Sequence, residues 1–155
     1  MVIRGPKGER VVPAEQYWIG PGIDITRMNV LAPNEILTAI RIPSTMAGAQ
    51  FYFEKVRDRQ VWDFALVNVA SAIVVSGDTI QKAGLVVKAV AATPRRLANG
   101  ETAIIGKPRN EATAEMAGRM AVEGAQTLRH NAYKVPLMRN LVKRAIRGAG
   151  ASWTS

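Results

Sequence analysis

The sequence predicts an α+β fold: an antiparallel sheet of about three strands packed against about three helices, preceded by a strand-and-loop segment. Three observations carry this prediction. Two long runs rich in β-branched residues, 65–75 and 79–91, flank the turn Ser76-Gly77-Asp78 and read as a hairpin. Three later stretches carry helix-start and helix-stop residues. Residues 1–45 instead hold five of the eight prolines (Pro6, Pro13, Pro21, Pro33 and Pro43) and few candidate strands.

In chain order, Val30-Leu31 leads into the turn signal Ala32-Pro33-Asn34, and Glu35 to Ile42 follows as a strand ended by Pro43. Leu37 and Ala39 fall on one side, offset from Ile36, Ile40 and Ile42. One strand and loops cannot make a core, so this segment completes a sheet lying elsewhere. Ser44 to Gly48 reads as a linker. In Phe51-Tyr-Phe-Glu-Lys, Phe51, Phe53 and Lys55 share one face, and Tyr52 and Glu54 the other.

Thr93-Pro94 reads as N-cap plus first helical residue, with Gly100 interrupting the helix and Gly106 and Pro108 stopping it. Asn110 caps a second helix to about Gln126. Its Ala114, Ala117, Gly118, Ala121 and Ala125 predict close approach of another element. Asn131 caps a third helix ending near Gly148, with Leu137, Leu141 and Ala145 as its stripe, flanked by Met138, Val142 and Ile146. The tail 149–155 reads as loose, with Trp153 a candidate anchor. Two domains are expected, 1–45 and 46–155.

The 155 residues suffice for a core without staples. The absence of cysteine removes disulfides, thiolate metal sites and cysteine nucleophiles, and fits a reducing compartment. No apolar run reaches bilayer length, and Met1-Val-Ile-Arg-Gly-Pro-Lys-Gly lacks a signal-peptide core, so the expectation is a cytoplasmic protein without membrane contact. The net charge of +9 can match nucleic acid, an anionic membrane surface or an acidic partner. The third helix carries Lys134, Arg139, Lys143, Arg144 and Arg147 without an acid, and Arg139, Lys143 and Arg147 form one stripe. Aromatic interleaving is missing, so no nucleic-acid partner is expected. A solvated face or a surface for an acidic subunit is.

No catalytic constellation emerges. The single histidine, His130, has no ligand cluster or nucleophile elbow around it and reads as a surface or capping residue. Gly5-Pro-Lys-Gly and Gly20-Pro-Gly are turns, because proline offers no N–H to an anion. Asp58 and Asp63 flank Arg59 and suggest ion pairing. The stretch Lys55-Val-Arg-Asp-Arg-Gln-Val-Trp-Asp-Phe-Ala is either a solvated connection or a loop facing a ligand or partner; spacing alone leaves both open.

Several segments together resemble one family. Leu31-Ala-Pro-Asn-Glu-Ile-Leu-Thr-Ala-Ile-Arg-Ile-Pro is similar to the L-x-P-x-E-I-(L/I)-x-x-I-x-I-P strand of FAD-binding subunits in the molybdenum hydroxylases, which include xanthine dehydrogenase, carbon monoxide dehydrogenase and aldehyde oxidoreductases. Phe53-Glu-Lys-Val-Arg-Asp-Arg with Asp63-Phe-Ala-Leu-Val-Asn-Val-Ala resembles K-x-x-x-R…D-x-A-x-V-x-V-A. Val90-Ala-Ala-Thr-Pro-Arg-Arg resembles V-A-x-x-P-x-R. Asn131-Ala-Tyr-Lys and Leu141-Val-Lys-Arg-Ala-Ile resemble the closing helix, and Tyr17-Trp-Ile-Gly-Pro-Gly-Ile-Asp with Thr26 the approach to the strand. The likeness spans roughly residues 9–148 and leans toward bacterial xanthine-dehydrogenase-like or aldehyde-oxidoreductase subunits.

The resemblance implies the C-terminal part of an FAD-carrying electron-transfer subunit. Residues 1–45 would be the tail of the FAD-binding domain and 46–155 the flavoprotein C-terminal domain. A molybdenum cofactor and [2Fe–2S] clusters are implied on partner subunits, the molybdenum subunit hydroxylating a purine, aldehyde or related substrate. Leu37 and Lys55 match positions that contact FAD. Arg59 and Asp63 would shape the loop. The family's glycine-rich pyrophosphate loops lie upstream of these motifs, so the chain is expected to need the N-terminal FAD-binding portion of its own subunit and to be inactive alone. Where the family has Gly-Gly, this chain has Lys88-Ala89. The alternative is a structural module that docks an acidic subunit through its basic last helix, without flavin.

Overall fold

The structure is a computed structural model and describes residues 1–148. The tail 149–155, with Trp153, lies outside the described residues. The chain divides into two units. Met1–Thr45 with Ala92–Pro94 form the first; Met46–Ala91 with the residues from Arg95 onward form the second.

The first unit is a three-stranded antiparallel sheet in the order β2-β1-β3, built from β1 (Val2–Gly5), β2 (Gly8–Val11) and β3 (Ile36–Ala39). This corrects the expectation of a single strand. Pro6 and Lys7 do form a turn, but that turn joins two four-residue strands, with Gly5 opposite Gly8. Each strand is too short for alternation to show in the sequence. Val2 and Ile3 are buried, together with Tyr17 at the end of the short helix α1 (Ala14–Tyr17). Arg10 grips Glu35 with both ends of its guanidinium, Nε to Oε1 at 2.9 Å and Nη2 to Oε2 at 2.7 Å. Glu35 Oε2 also accepts the Ala32 N–H at 2.9 Å, so one carboxylate fixes the turn leading into β3. β3 ends at Ala39, earlier than expected, and leaves Ile40 and Ile42 exposed.

The second unit is a four-stranded antiparallel sheet in the order β4-β5-β6-β7: β4 (Gln50–Val56), β5 (Val67–Ser76), β6 (Thr79–Lys88) and β7 (Arg95–Arg96). The expected hairpin joins β5 to β6 through Gly77 and Asp78, with Gly77 at φ +55°. Along β5 the buried residues alternate as Val67, Val69, Ser71 and Ile73. On β6 they are Ile80, Ala83, Leu85 and Val87. The odd spacing from Ile80 to Ala83 is explained by a bulge: Val75 faces Ile80 and Val74 faces Lys82, leaving Gln81 unmatched.

Three helices cover that face: α2 (Ala98–Ile104), α3 (Glu111–Ala121) and α4 (Lys134–Arg147). Ile104, Ala114, Ala117, Leu141, Val142, Ala145 and Ile146 join the strand residues in one core. Thr93-Pro94 does not start a helix. The Leu97 N–H donates to Leu85 O at 2.9 Å and Arg95–Arg96 add a short strand to β6, so sheet pairing wins over the cap signal and α2 begins at Ala98. Gly100 is buried within α2 and does not break it. Gly106, at φ +78°, follows the helix as expected.

Asn110 caps α3, its Oδ1 accepting the Thr113 N–H at 3.0 Å. α3 stops at Ala121, short of Gln126, and the chain turns through Gly124 at φ +70°. The small stripe lets α4 approach closely: a Cβ on Gly118 would lie 2.8 Å from Lys143 Cγ and 2.9 Å from Arg139 O. Asn131 does not cap α4. Its Oδ1 takes the Leu128 N–H and closes a turn ahead of a helix that starts at Lys134. Gly148 ends α4 in the left-handed conformation, φ +68°. Arg109 reaches this end as well: its Nε donates to Ile146 O at 2.6 Å and its Nη1 to the Gln50 side chain.

Candidate functional site

Leu37 sits in β3 opposite Ile3 and is half-buried. Lys55 sits near the end of β4 opposite Asn68. The two implied flavin positions therefore fall in different units. Around Lys55 the expected face is present. Tyr52 points into the core, and Glu54 turns to α4, where it pairs with Arg144 at 2.7 Å and accepts from the Tyr52 hydroxyl. Burial, and then that bond to Glu54, push the Tyr52 phenol up to about 12. Phe51 and Phe53 stand on the opposite face with Lys55 and are exposed.

The connection from β4 to β5 is tightly tied. Lys55 Nζ donates to Asp63 O at 2.6 Å. The Asp63 carboxylate accepts the Arg59 N–H at 2.8 Å, Arg59 Nη2 donates to Trp62 O at 2.9 Å, and Arg57 Nε donates to Gln60 O at 2.9 Å. Leu66 N–H closes the loop on Val56 O at 2.8 Å. Arg59 and Asp63 thus shape the loop, as expected. The result holds large apolar side chains in water: Trp62 is 95% exposed and Phe64 94%. Trp62 also takes a left-handed backbone, φ +52°, which a residue with a Cβ adopts only at a cost of about 1–2 kcal/mol. Trp62 and Phe64 lie in the stretch that spacing left open between a solvated connection and a loop facing a ligand or partner; neither was named as a site residue. Asn68 is a further addition. Its Oδ1 is buried without a hydrogen-bond partner, directly across the ladder from Lys55.

The basic stripe of α4 is engaged within its own unit. Glu115 pairs with Arg139 and, at 2.5 Å, with Lys143; Glu111 pairs with Lys143 and Arg147, both at 3.1 Å. The lysine and arginine hydrogen bonds hold the Glu115 carboxyl below its ordinary range, and the two glutamates hold Lys143 above its own. These cations are not a bare solvated face: each is paired with a glutamate of its own unit, while Arg139, Arg144 and Arg147 stay about half exposed. His130 is exposed in the α3–α4 connection. No cluster of three metal-ligating side chains occurs among the described residues, and no helix among them is long and apolar enough to cross a membrane.

Residues 51–149 match the model of the CO dehydrogenase flavoprotein C-terminal domain. The chain belongs to this family. The carbon monoxide dehydrogenase medium chain of Hydrogenophaga pseudoflava is 32% identical over 97% of this chain and 52% of its own length. A solved carbon monoxide dehydrogenase from the same organism, lacking the Mo-pyranopterin moiety, superposes with a TM-score of 0.83 over 96% of this chain and 51% of that one, at 29% identity. Quinoline 2-oxidoreductase from Pseudomonas putida 86 shares the fold, TM-score 0.77, at 24% identity over 94% of this chain and 50% of that chain. The chain spans about half the length of the relatives it matches. None of these three is a xanthine dehydrogenase, so the narrower likeness expected from the motifs finds no support in them.

The side chains near Lys55 suit one end of an FAD molecule. An ammonium has three donors, and Asp63 takes one; the Asn68 oxygen awaits a donor; Phe51, Phe53 and the Trp62 turn supply apolar area. This mixture of donor, acceptor and flat apolar surface fits the ring system.

Proposed function

We propose that this chain is the C-terminal part of the FAD-carrying electron-transfer subunit of a cytoplasmic molybdenum hydroxylase. Residues 1–45 would be the tail of the FAD-binding domain, and 46–155 the C-terminal domain. The family match over residues 51–149 is the observation that carries this reading. The surface around Lys55 supports it.

FAD, when bound, would accept and pass on electrons; the chain's residues would place and screen it. Lys55 would offer its remaining N–H donors, Asn68 its unpaired oxygen, and Leu37 apolar packing. Because Asp63 fixes both Lys55 and the backbone of the following loop, the cation is held in place before any ligand arrives, which lowers the ordering cost of binding. Trp62 and Phe64 would exclude water from the ring. The pyrophosphate would be held by the N-terminal portion of the subunit. Electrons would arrive from [2Fe–2S] clusters on a second subunit. The substrate, whether carbon monoxide as for the named relatives or a purine, aldehyde or related molecule, would be met on a third, molybdenum-bearing subunit.

The test is complementation. Co-expressing this chain with the N-terminal half of a medium chain such as that of Hydrogenophaga pseudoflava should yield a complex that retains FAD absorbance. Lys55→Ala should lower retention about tenfold, the loss of one or two charge-assisted hydrogen bonds. A well-assembled complex without flavin would overturn the reading.

A further inference from the structure

A cavity of about 570 Å3 lies in the second unit, away from the Lys55 surface. It sits where β7 enters α2 and where α3 gives way to its connection with α4. Leu97, Met120 and Met138 are the large apolar side chains on a lining that is more polar than apolar. Methionine side chains adapt to varied shapes, so such a lining suits a small body without demanding one outline. The volume falls in the range of small-molecule sites.

Arg95 stands at the mouth of this cavity. It pairs across the ladder with Val87, whose side chain is fully buried beneath the helices. Cross-strand partners project to the same face, so Arg95 leaves the sheet on the helix side, where the cavity opens. Its neighbour Arg96 is committed to Glu101, at 2.9 Å. The Glu101 carboxylate is itself buried and also accepts the Leu85 N–H at 2.8 Å, so it is not available to Arg95. Glu123 is the remaining acid on the lining, and no ion pair links it to Arg95. A smaller cavity of about 60 Å3 continues the lining past Val90 and Met138 to Lys134, whose Nζ is held on Ala89 O at 2.8 Å. Among the described residues, the groove thus has a mixed polar and apolar lining, with a guanidinium in no ion pair at one end and an anchored ammonium at the other.

We propose that this cavity binds a small molecule carrying an oxyanion, phosphate monoester or carboxylate, on an apolar body, with Arg95 as the anion's partner. Guanidinium groups match both oxyanions bidentately. Glu123 opposes the anion and tunes the affinity downward. The site is independent of the flavin reading, since it shares no residue with the Lys55 surface.

The experiment uses the whole chain and two pairs of probes: adenosine 5′-monophosphate against adenosine, and benzoate against benzyl alcohol. Binding is followed by calorimetry and by amide shifts at Leu97–Gly100 and Met120–Gly124. At least one charged probe should bind in the millimolar range or better, with its neutral analogue clearly weaker; the responding pair tells phosphate from carboxylate. Arg95→Ala should weaken binding about tenfold or more, Arg95→Lys less, and Glu123→Gln should tighten it severalfold. Thermal melts confirm that each variant is folded, and Arg95→Lys decides the matter should Arg95→Ala unfold. Silence from both charged probes, or binding indifferent to Arg95, would overturn the proposal.

Discussion

Trp62 and Ala89 are the two non-glycine residues with left-handed backbone among the described residues. Their surroundings differ, and so do the expected effects of replacing them. Ala89, at φ +67°, occupies a place where the resembling motif has glycine, and its carbonyl is pinned by Lys134. Ala89→Gly should relieve about 1–2 kcal/mol of backbone cost and return up to about 1 kcal/mol as unfolded-state entropy. The net gain, about 0.5 kcal/mol, is readable in a urea midpoint; a loss would mean that the methyl packs better than the strain costs. Trp62→Gly should likewise hold or raise stability, because the indole has almost no protein neighbours to lose. It should nonetheless lower FAD retention in the complemented subunit. A variant that retained FAD fully would remove Trp62 from the ligand surface.

At the scale of elements, the α3–α4 pair is held by shape and by charge. Gly118→Ala forces a methyl against Arg139 O and should cost about 1–3 kcal/mol in denaturant unfolding. Asn110→Ala removes the α3 cap and should cost about 1 kcal/mol. The charge network predicts a pH profile. Glu115 is depressed from its ordinary 4.5, chiefly by the Lys143 hydrogen bond and next by Arg139. Its contribution is therefore complete above pH 4.5 and fades as pH falls below that value through the lowered one. Lys143 is raised from 10.5, chiefly by Glu115, so its contribution is complete below pH 10.5 and fades as pH climbs beyond. Stability should be level between these limits as far as this pair is concerned. Glu115→Gln should flatten the acid limb and reduce the sensitivity to salt; an unchanged acid limb would assign it to other carboxylates. The small-residue stripe of α3 and the basic stripe of α4 were both visible in the sequence. Their meeting was not, because the acids that answer the cations lie on another helix, and helical spacing records only neighbours on the same one.

For the whole molecule, the two units differ in how much they bury. The main core lies entirely in the second, whereas the first buries only Val2, Ile3 and Tyr17 among its large side chains. Residues 46–148 should fold cooperatively when expressed alone, and residues 1–45 should not, since so short a segment lacks the apolar area to offset chain entropy. Circular dichroism melts of the two pieces check this; a cooperative melt from 1–45 would contradict it. The same contrast explains what could be read in advance. Ten-residue strands such as β5 and β6 write their alternation plainly, and Asn110 and Gly148 mark helix ends with particular atoms. The four-residue strands β1 and β2 leave too few positions for a period, and β7 exists only because β6 offers it a ladder. Lys55 and Leu37 enter through family resemblance, Trp62 lies in a stretch that spacing left open between solvated connection and ligand-facing loop, and the unpaired Asn68 oxygen emerges only from burial.

The Arg109 side chain touches Gln50, at the start of β4, and Ile146, in the last turn of α4. The start of β4 and the last turn of α4 therefore meet at one guanidinium. Two elements far apart in sequence that meet at one side chain can be joined by a linker with little strain. Joining Gln50 to Gly148 by a short linker and opening residues 50–148 at Gly77-Asp78 should give a permutant with the same core, read as an unchanged cooperative melt.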